Sequence, residues 1–326
     1  MNIINNNYRK QSGLKMRLLL GAAFFIFQSS FFISCSKDDE PSEPSIFQTE
    51  ATEQTEFDKW LRSNYSEPYN IRLIYRYQDY ETDQTYNVIP AKMENVKALA
   101  IMMKHIWLEA YEEAVSQEFI RSHCPRIFQF IGSAEYRSDG AMVLGTAEGG
   151  LKITMFRLNA LDIDNIFIDS TSPFPNAEAV PIDMNFWFFH TMHHEFCHIL
   201  QQTKNYSTDF QLVSAGKYHS ADWINVKDEE APLEGFVTGY GSGEEREDMA
   251  EIYATYVTHT PEAWEKVLKA GIAANGDTYG RDAIIKKLEI MKEYFRTSWG
   301  FEMDDLRDIV LRRSKEVETM DLRTLK

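Results

Sequence analysis

Residues 190–200 read "HTMHHEFCHIL". Four histidines, one glutamate and one cysteine crowd into 190–198. At about 100° per residue on a helix, His194 and His198 stack one turn apart on one face, and Glu195 flanks that face. Phe188, Phe189, Met192, Phe196, Ile199 and Leu200 gather on the opposite side. The pattern predicts a helix over 185–203 with an apolar back that anchors in a core and a polar front that opens on a site. His193 and Cys197, also one turn apart, fall to the flank nearer the apolar back. His190 falls at the rim.

H-E-x-x-H on a helix has a mechanical reason. Two imidazoles one turn apart can reach one Zn²⁺ at about 2.0–2.1 Å. The glutamate beside them is placed to take a proton from the water that the metal activates. A catalytic zinc needs a third protein ligand. The longer pattern with glycine and a third histidine would require them at positions 201 and 204, where the chain has Gln201 and Lys204. A glutamate on a later helix is the other solution. "EREDMAEIYATYV" at 245–257 offers Glu247 and Glu251 one turn apart, with small Ala250 and Ala254 beside them for close helix approach. Taken alone, these two acids are a solvated helix face; downstream of "HEFCH" they become third ligand and supporting acid. His219 is the rival third ligand or a residue on the substrate side.

The N-terminus does not belong to the fold. Residues 1–17 carry Arg9, Lys10, Lys15 and Arg17 and no acid, and residues 18–33 are almost wholly apolar. A basic segment, an apolar segment shorter than a membrane span and a small residue before a break make an export signal over 1–34. Cys35 follows Ser34 and resembles the lipidated cysteine of bacterial lipoproteins, although Phe32 is bulkier than the usual leucine. Residues 35–55, with the acidic run "KDDE", read as a flexible tether. The formal charge of the whole chain is −16, which argues against a nucleic-acid surface. Cys124 and Cys197 could pair in an exported protein, but a bond would tie down the histidine-bearing helix, so both read as free and buried, a choice that the sequence does not decide.

For the rest, 56–326, an α+β domain is expected, with a small mixed sheet and a mainly helical C-terminal half. Strands are expected at 69–78 and in "RIFQFIGS", "AMVLGTA" and "LKITMFRL". Helices are expected at 92–118, 245–258, 261–273, 281–298 and 303–317. Residues 204–243 show no sustained period and read as a long functional insert.

"HHEFCHILQQ", "GYGSGEEREDMAEIYATYV" and the leader together resemble the zinc metallopeptidases of Bacteroidetes known as substrate import-associated zinc metallohydrolase lipoproteins. Separately, Tyr-Gly followed by "EDMAE" is similar to the catalytic domain of anthrax lethal factor, a gluzincin-type zinc peptidase. These resemblances imply a zincin-like fold and one Zn²⁺ held by His194, His198 and Glu247, with Glu251 as support. They also imply Glu195 as general base and Tyr240 as a donor to the oxyanion; otherwise Tyr240 is a loop aromatic packed on the helix. A peptide or protein substrate, attachment to the outer membrane through Cys35, exposure at the cell surface and a place beside nutrient-import components follow from the same resemblance. By analogy with zincins generally, 145–158, with Gly149 and Gly150, is the candidate edge strand for an extended substrate. The alternative is a non-catalytic lipoprotein that keeps the fold as a binding module for peptide or glycan.

Overall fold

The computed structural model describes residues 53–77, 87–136, 142–143, 145–148 and 151–326. The export signal, Cys35 and all but the last residues of the tether lie outside the described residues, as do Gly149 and Gly150. Gln54–Lys326 form one compact unit. Among the described residues no helix is long and apolar enough to cross a membrane.

The unit begins with α1 (Glu56–Leu61). Thr55 starts it: its hydroxyl accepts from Asp58 N–H, and the Asp58 carboxylate returns the bond to Thr55 N–H. A π-helical turn, Arg62–Ser66, and a further turn, Glu67–Tyr69, carry the helix on until Asn70 takes a left-handed conformation and stops it. The strand expected from 69 is therefore only β1 (Arg72–Ile74). The helix expected over 92–118 is α2 (Met93–Met103), continued by a π turn, Lys104–Leu108, and by α3 (Glu109–Ala114). It ends early because Ser116 caps a new helix, α4 (Gln117–His123), by accepting from Phe119 N–H.

The main sheet contains β1, β2 (Ile127–Phe130), β5 (Gly145–Glu148) and β6 (Lys152–Met155), in the order β1-β2-β6-β5. The first three strands run parallel, and β5 pairs antiparallel with β6, so the sheet is mixed as expected. All four residues of β6 are buried, as a parallel strand covered on both faces requires. "AMVLGTA" is not one strand. Its first half, β4 (Met142–Val143), pairs with β3 (Glu135–Tyr136) in a separate ribbon, and its second half is β5.

The C-terminal half is helical. A π turn, Asn185–Phe189, leads into α5 (His190–Thr203). The insert carries α6 (Asp209–Val213) and three 3-10 turns, Ser220–Asn225, Ala231–Glu234 and Tyr240–Ser242. Then come α7 (Glu245–Thr258), α8 (Pro261–Ala270), α9 (Tyr279–Tyr294) and α10 (Met303–Glu316).

The apolar back of α5 behaves as its pattern demands. Phe188, Phe189, Met192, Phe196 and Leu200 are buried, and Ile199 packs half-buried against the same core. Phe196 lies 4.8 Å from the ring of Tyr111 and 5.4 Å from that of Trp107, both edge-on. Such edge-to-face pairs add about 0.5–1.5 kcal/mol to the area they bury. The other central helix is α7, buried without interruption from Asp248 to Thr258 and packed against both α5 and α10. Ala250 and Ala254, wholly buried, keep the helices close. Cys124 and Cys197 are free and buried.

Candidate metal centre

α5 is held at both ends. At its start Asp183 accepts from Asn185 N–H and Asp169 N–H, each at 2.9 Å. At its end Lys204 N–H closes on the Leu200 carbonyl, and the Tyr294 hydroxyl donates to the Lys204 carbonyl at 2.7 Å, with the Leu200 carbonyl 3.1 Å away. α7 begins with Glu245, Glu247 and Asp248 in its first turn, where the helix dipole favours negative charge. A ligand carboxylate at 247 is thus electrostatically supported by its own helix.

Three predicted residues converge. His194 Nε2 and His198 Nε2 lie 3.0 Å apart. Glu247 Oε2 is 3.1 Å from the first and 3.2 Å from the second. Ligand atoms at about 2.0–2.1 Å from a tetrahedral zinc are separated by about 3.3 Å. The observed triangle is close to that size and is made of the nitrogen and oxygen donors that zinc takes, so these residues fit the ion.

Glu251 supports the triangle from behind. Its Oε1 is 2.6 Å from His194 Nδ1 and 3.2 Å from His190 Nε2. Its Oε2 accepts from the Thr238 hydroxyl at 2.8 Å. His190, His194 and Glu251 therefore form a second cluster of possible ligands. The 2.6 Å separation is short for two atoms sharing a cation and suits a hydrogen bond. Glu251 thus holds the proton of His194 on Nδ1 and leaves Nε2 free to face the triangle.

The charges of the pocket follow from burial and neighbours. Burial would raise the Glu247 carboxyl, but bonds to His194 and His198 hold it down at about 2. Burial would lower His194, yet Glu247 and Glu251 push it up to about 10. The nest of carboxylates favours positive charge at the spot where a metal would sit. Glu195 differs. Burial raises its carboxyl above the ordinary value, against the pull of His194 and His198. Half-buried beside the triangle, it carries no hydrogen bond or ion pair among the described residues.

Tyr240 is brought in by the turn ahead of α7. Its ring centroid is 5.8 Å from that of His194, and Trp223 stands against its other side at 4.8 Å. Burial of its hydroxyl end, with Glu247 and Glu251 close by, raises the phenol well above its usual range and keeps it protonated. The turn is tight: a Cβ on Gly239 would stand 2.1 Å from the Val226 carbonyl oxygen, and one on Gly241 would stand 3.3 Å from Glu251 Cβ. Gly239 N–H also donates to Asp228 at 2.8 Å.

The remaining residues of the cluster are accounted for. His193 is fully buried on the back of α5, 2.8 Å from the Tyr111 hydroxyl, and burial lowers it to about 3. Cys197 is buried beside the Met249 carbonyl. His219 pairs with Glu234 at 2.7 Å and joins neither cluster among the described residues. His190, read from the sequence as a hydrogen-bonded structural residue at the rim, finds its partner in Glu251, whereas the sequence reading passed over Thr238 and Gln201 as supports. Spacing alone could have found Gln201, three residues after His198; nothing in the sequence marks Thr238.

Residues 50–304 match the sequence profile of a family described as "Putative zinc-binding metallo-peptidase". The chain belongs to this family. A crystal structure titled as a "putative zinc-binding metallo-peptidase" from Bacteroides caccae is also similar, with 37% identity and a TM-score of 0.68. That match covers 86% of this chain and 100% of the other. No curated protein matches. The α+β fold and zinc as the metal agree with both findings, and the triangle is one of the two places among the described residues where such donors meet.

Proposed function

We propose that this protein is a zinc-dependent peptidase of gluzincin type, with zinc held by His194, His198 and Glu247. The observation that carries this is the 3.0–3.2 Å triangle beside a carboxylate, Glu195, that makes no hydrogen bond or ion pair among the described residues. Zinc, when bound, supplies Lewis acidity and makes water a nucleophile near neutral pH. Glu195 takes the proton from the attacking water. Its raised pKa suits it to keep that proton and then deliver it to the leaving amine. The Tyr240 hydroxyl donates a hydrogen bond to the substrate carbonyl oxygen as negative charge gathers there. Glu251 and Thr238 hold His194 in place. Of the 145–158 candidate, β6 is an inner strand and β5 is the outer strand of the main sheet among the described residues, so an extended substrate pairs along β5.

The substrate is a peptide or protein. The protein is anchored to the outer membrane by lipid on Cys35, faces outward, and works beside nutrient-import components. These statements rest on the leader and on the family resemblance.

The test compares wild type with Glu195→Gln for zinc stoichiometry and for cleavage of a peptide library. One zinc per chain is expected in both, with cleavage reduced about 10²–10⁴-fold in the variant. Zinc bound without cleavage by wild type would leave a binding module in place of an enzyme. No zinc in wild type would remove the site.

A further inference from the structure

A ring nitrogen that offers its lone pair to a cation leaves the ring proton on the other nitrogen. That proton needs an acceptor when it is buried. His194 has one in Glu251. Among the described residues, the group that meets Nδ1 of His198 is the side-chain amide of Gln201, 2.6 Å away. Gln201 follows His198 by three residues on α5, so the two side chains share a face. It is 5% exposed, and its second amide atom is buried without a partner among the described residues.

The nitrogen and oxygen of an amide are distinguished by the bonds they make. With the amide nitrogen on His198, Nδ1 must accept, and a neutral ring carries its proton on Nε2. That proton would point into the triangle, and no cation would fit. With the amide oxygen on His198, Nδ1–H donates to it and Nε2 is released. The bond given up is the longer one, from the amide nitrogen to the Arg246 carbonyl at 3.3 Å. Arg246 lies in the first turn of α7, where the helix ladder supplies its carbonyl with another donor.

We infer that Gln201 is a positioning residue of the metal centre: its amide oxygen accepts the Nδ1 proton of His198 and so fixes which ring nitrogen faces the cation. The inference rests on the zinc centre proposed above. It gives the two histidines unlike supports. His194 is backed by a carboxylate and His198 by a neutral amide, so His194 is the more electron-rich donor of the pair.

The test strips the full chain of metal and measures zinc affinity by competition with a chromogenic chelator. Gln201→Leu, which keeps bulk and loses the acceptor, is expected to bind zinc about 10–100-fold more weakly. Gln201→Glu keeps an acceptor and is expected to recover most of that loss. Wild-type affinity in Gln201→Leu overturns the inference while leaving the zinc site intact. If Gln201→Leu does not fold, nitrogen-15 spectra of the zinc-loaded wild type decide. A protonated Nδ1 on His198 is expected; a proton on its Nε2, or ligation through Nδ1, overturns the inference. Failure of the wild type to bind zinc overturns both this inference and the reading beneath it.

Discussion

Lys287→Met removes the cation that faces Asp248. Both side chains are fully buried, and Lys287 Nζ is 2.5 Å from Asp248 Oδ2. The ammonium also donates to the Gly235 carbonyl at 2.8 Å, and the Tyr218 hydroxyl donates to Asp248 at 3.0 Å. Burial pushes Asp248 up to about 6 and Lys287 down, while each pulls the other back toward its charged form. Methionine fills much of the lysine volume and supplies no charge. The variant leaves a carboxylate with one hydroxyl donor in a closed interior, and breaking such a pair costs about 3–5 kcal/mol. Domains of this kind are stable by roughly 5–15 kcal/mol, so about a fifth or more of the total is at stake. Urea unfolding of zinc-free protein, followed by circular dichroism and tryptophan fluorescence, reads the loss as a lower midpoint at constant slope. Adding Asp248→Asn to the variant is expected to restore most of the loss, because no charge is then stranded. A single variant within about 1 kcal/mol of wild type would refute the reasoning, since it would mean that water reaches Asp248.

Glu247→Ala is expected to weaken zinc binding by more than about 100-fold, the most that loss of a supporting residue costs; chelator competition reads it. Tyr240→Phe is expected to lower kcat by about 10²–10³ with KM little changed, as for an oxyanion donor that acts only in the transition state. Asp183 tests pH dependence. Burial raises its carboxyl to about 6, against backbone bonds that lower it. Its contribution is thus fully present below its unfolded value, near 4, and is lost as pH rises through 6. Asp183→Asn keeps an acceptor for the two backbone donors, so the stability of the variant relative to wild type should rise by on the order of 2 kcal/mol between pH 4 and 7. Paired unfolding curves at the two pH values would show it, and a constant difference would count against it.

Much of the centre was written in periodicity. Helix phase separated His194 and His198 from His193 and Cys197, and the structure turns the first pair toward Glu247 and the second pair into the core. Glu247 and Glu251 were legible for the same reason, since one turn on α7 sets both side chains toward α5. What phase could not give was contact between distant stretches. Thr238 reaches Glu251 only because Gly239 and Gly241 let the turn close on α7. His190 looked like a rim residue until Glu251 stood in front of it. In the fold, strand signals misled where local geometry outweighed composition. Tyr69 and Asn70 look like the start of a strand, but the helical turn at Pro68 and the left-handed Asn70 take them. "AMVLGTA" alternates like one strand and is shared between two pairings. The long helix stopped short because Ser116 makes a better start for the next helix than an interior for this one.

The converging atoms of the metal triangle belong to α5 and α7, and so do Gln201 and Glu251, which steady them. The 204–243 stretch between these helices touches the centre through Thr238 and Tyr240. On the proposed reading the metal is gripped by the two helices, and most of the stretch between them is left to other contacts. Most of the intervening stretch would then serve as an exchangeable jaw mounted on a fixed hinge of two helices. On the same reading a different 204–243 stretch could be mounted on the two helices, provided Lys287 still finds a carbonyl and the turn at 238–241 still closes. Grafting a relative's jaw onto this chain should change peptide preference while leaving zinc affinity where it was.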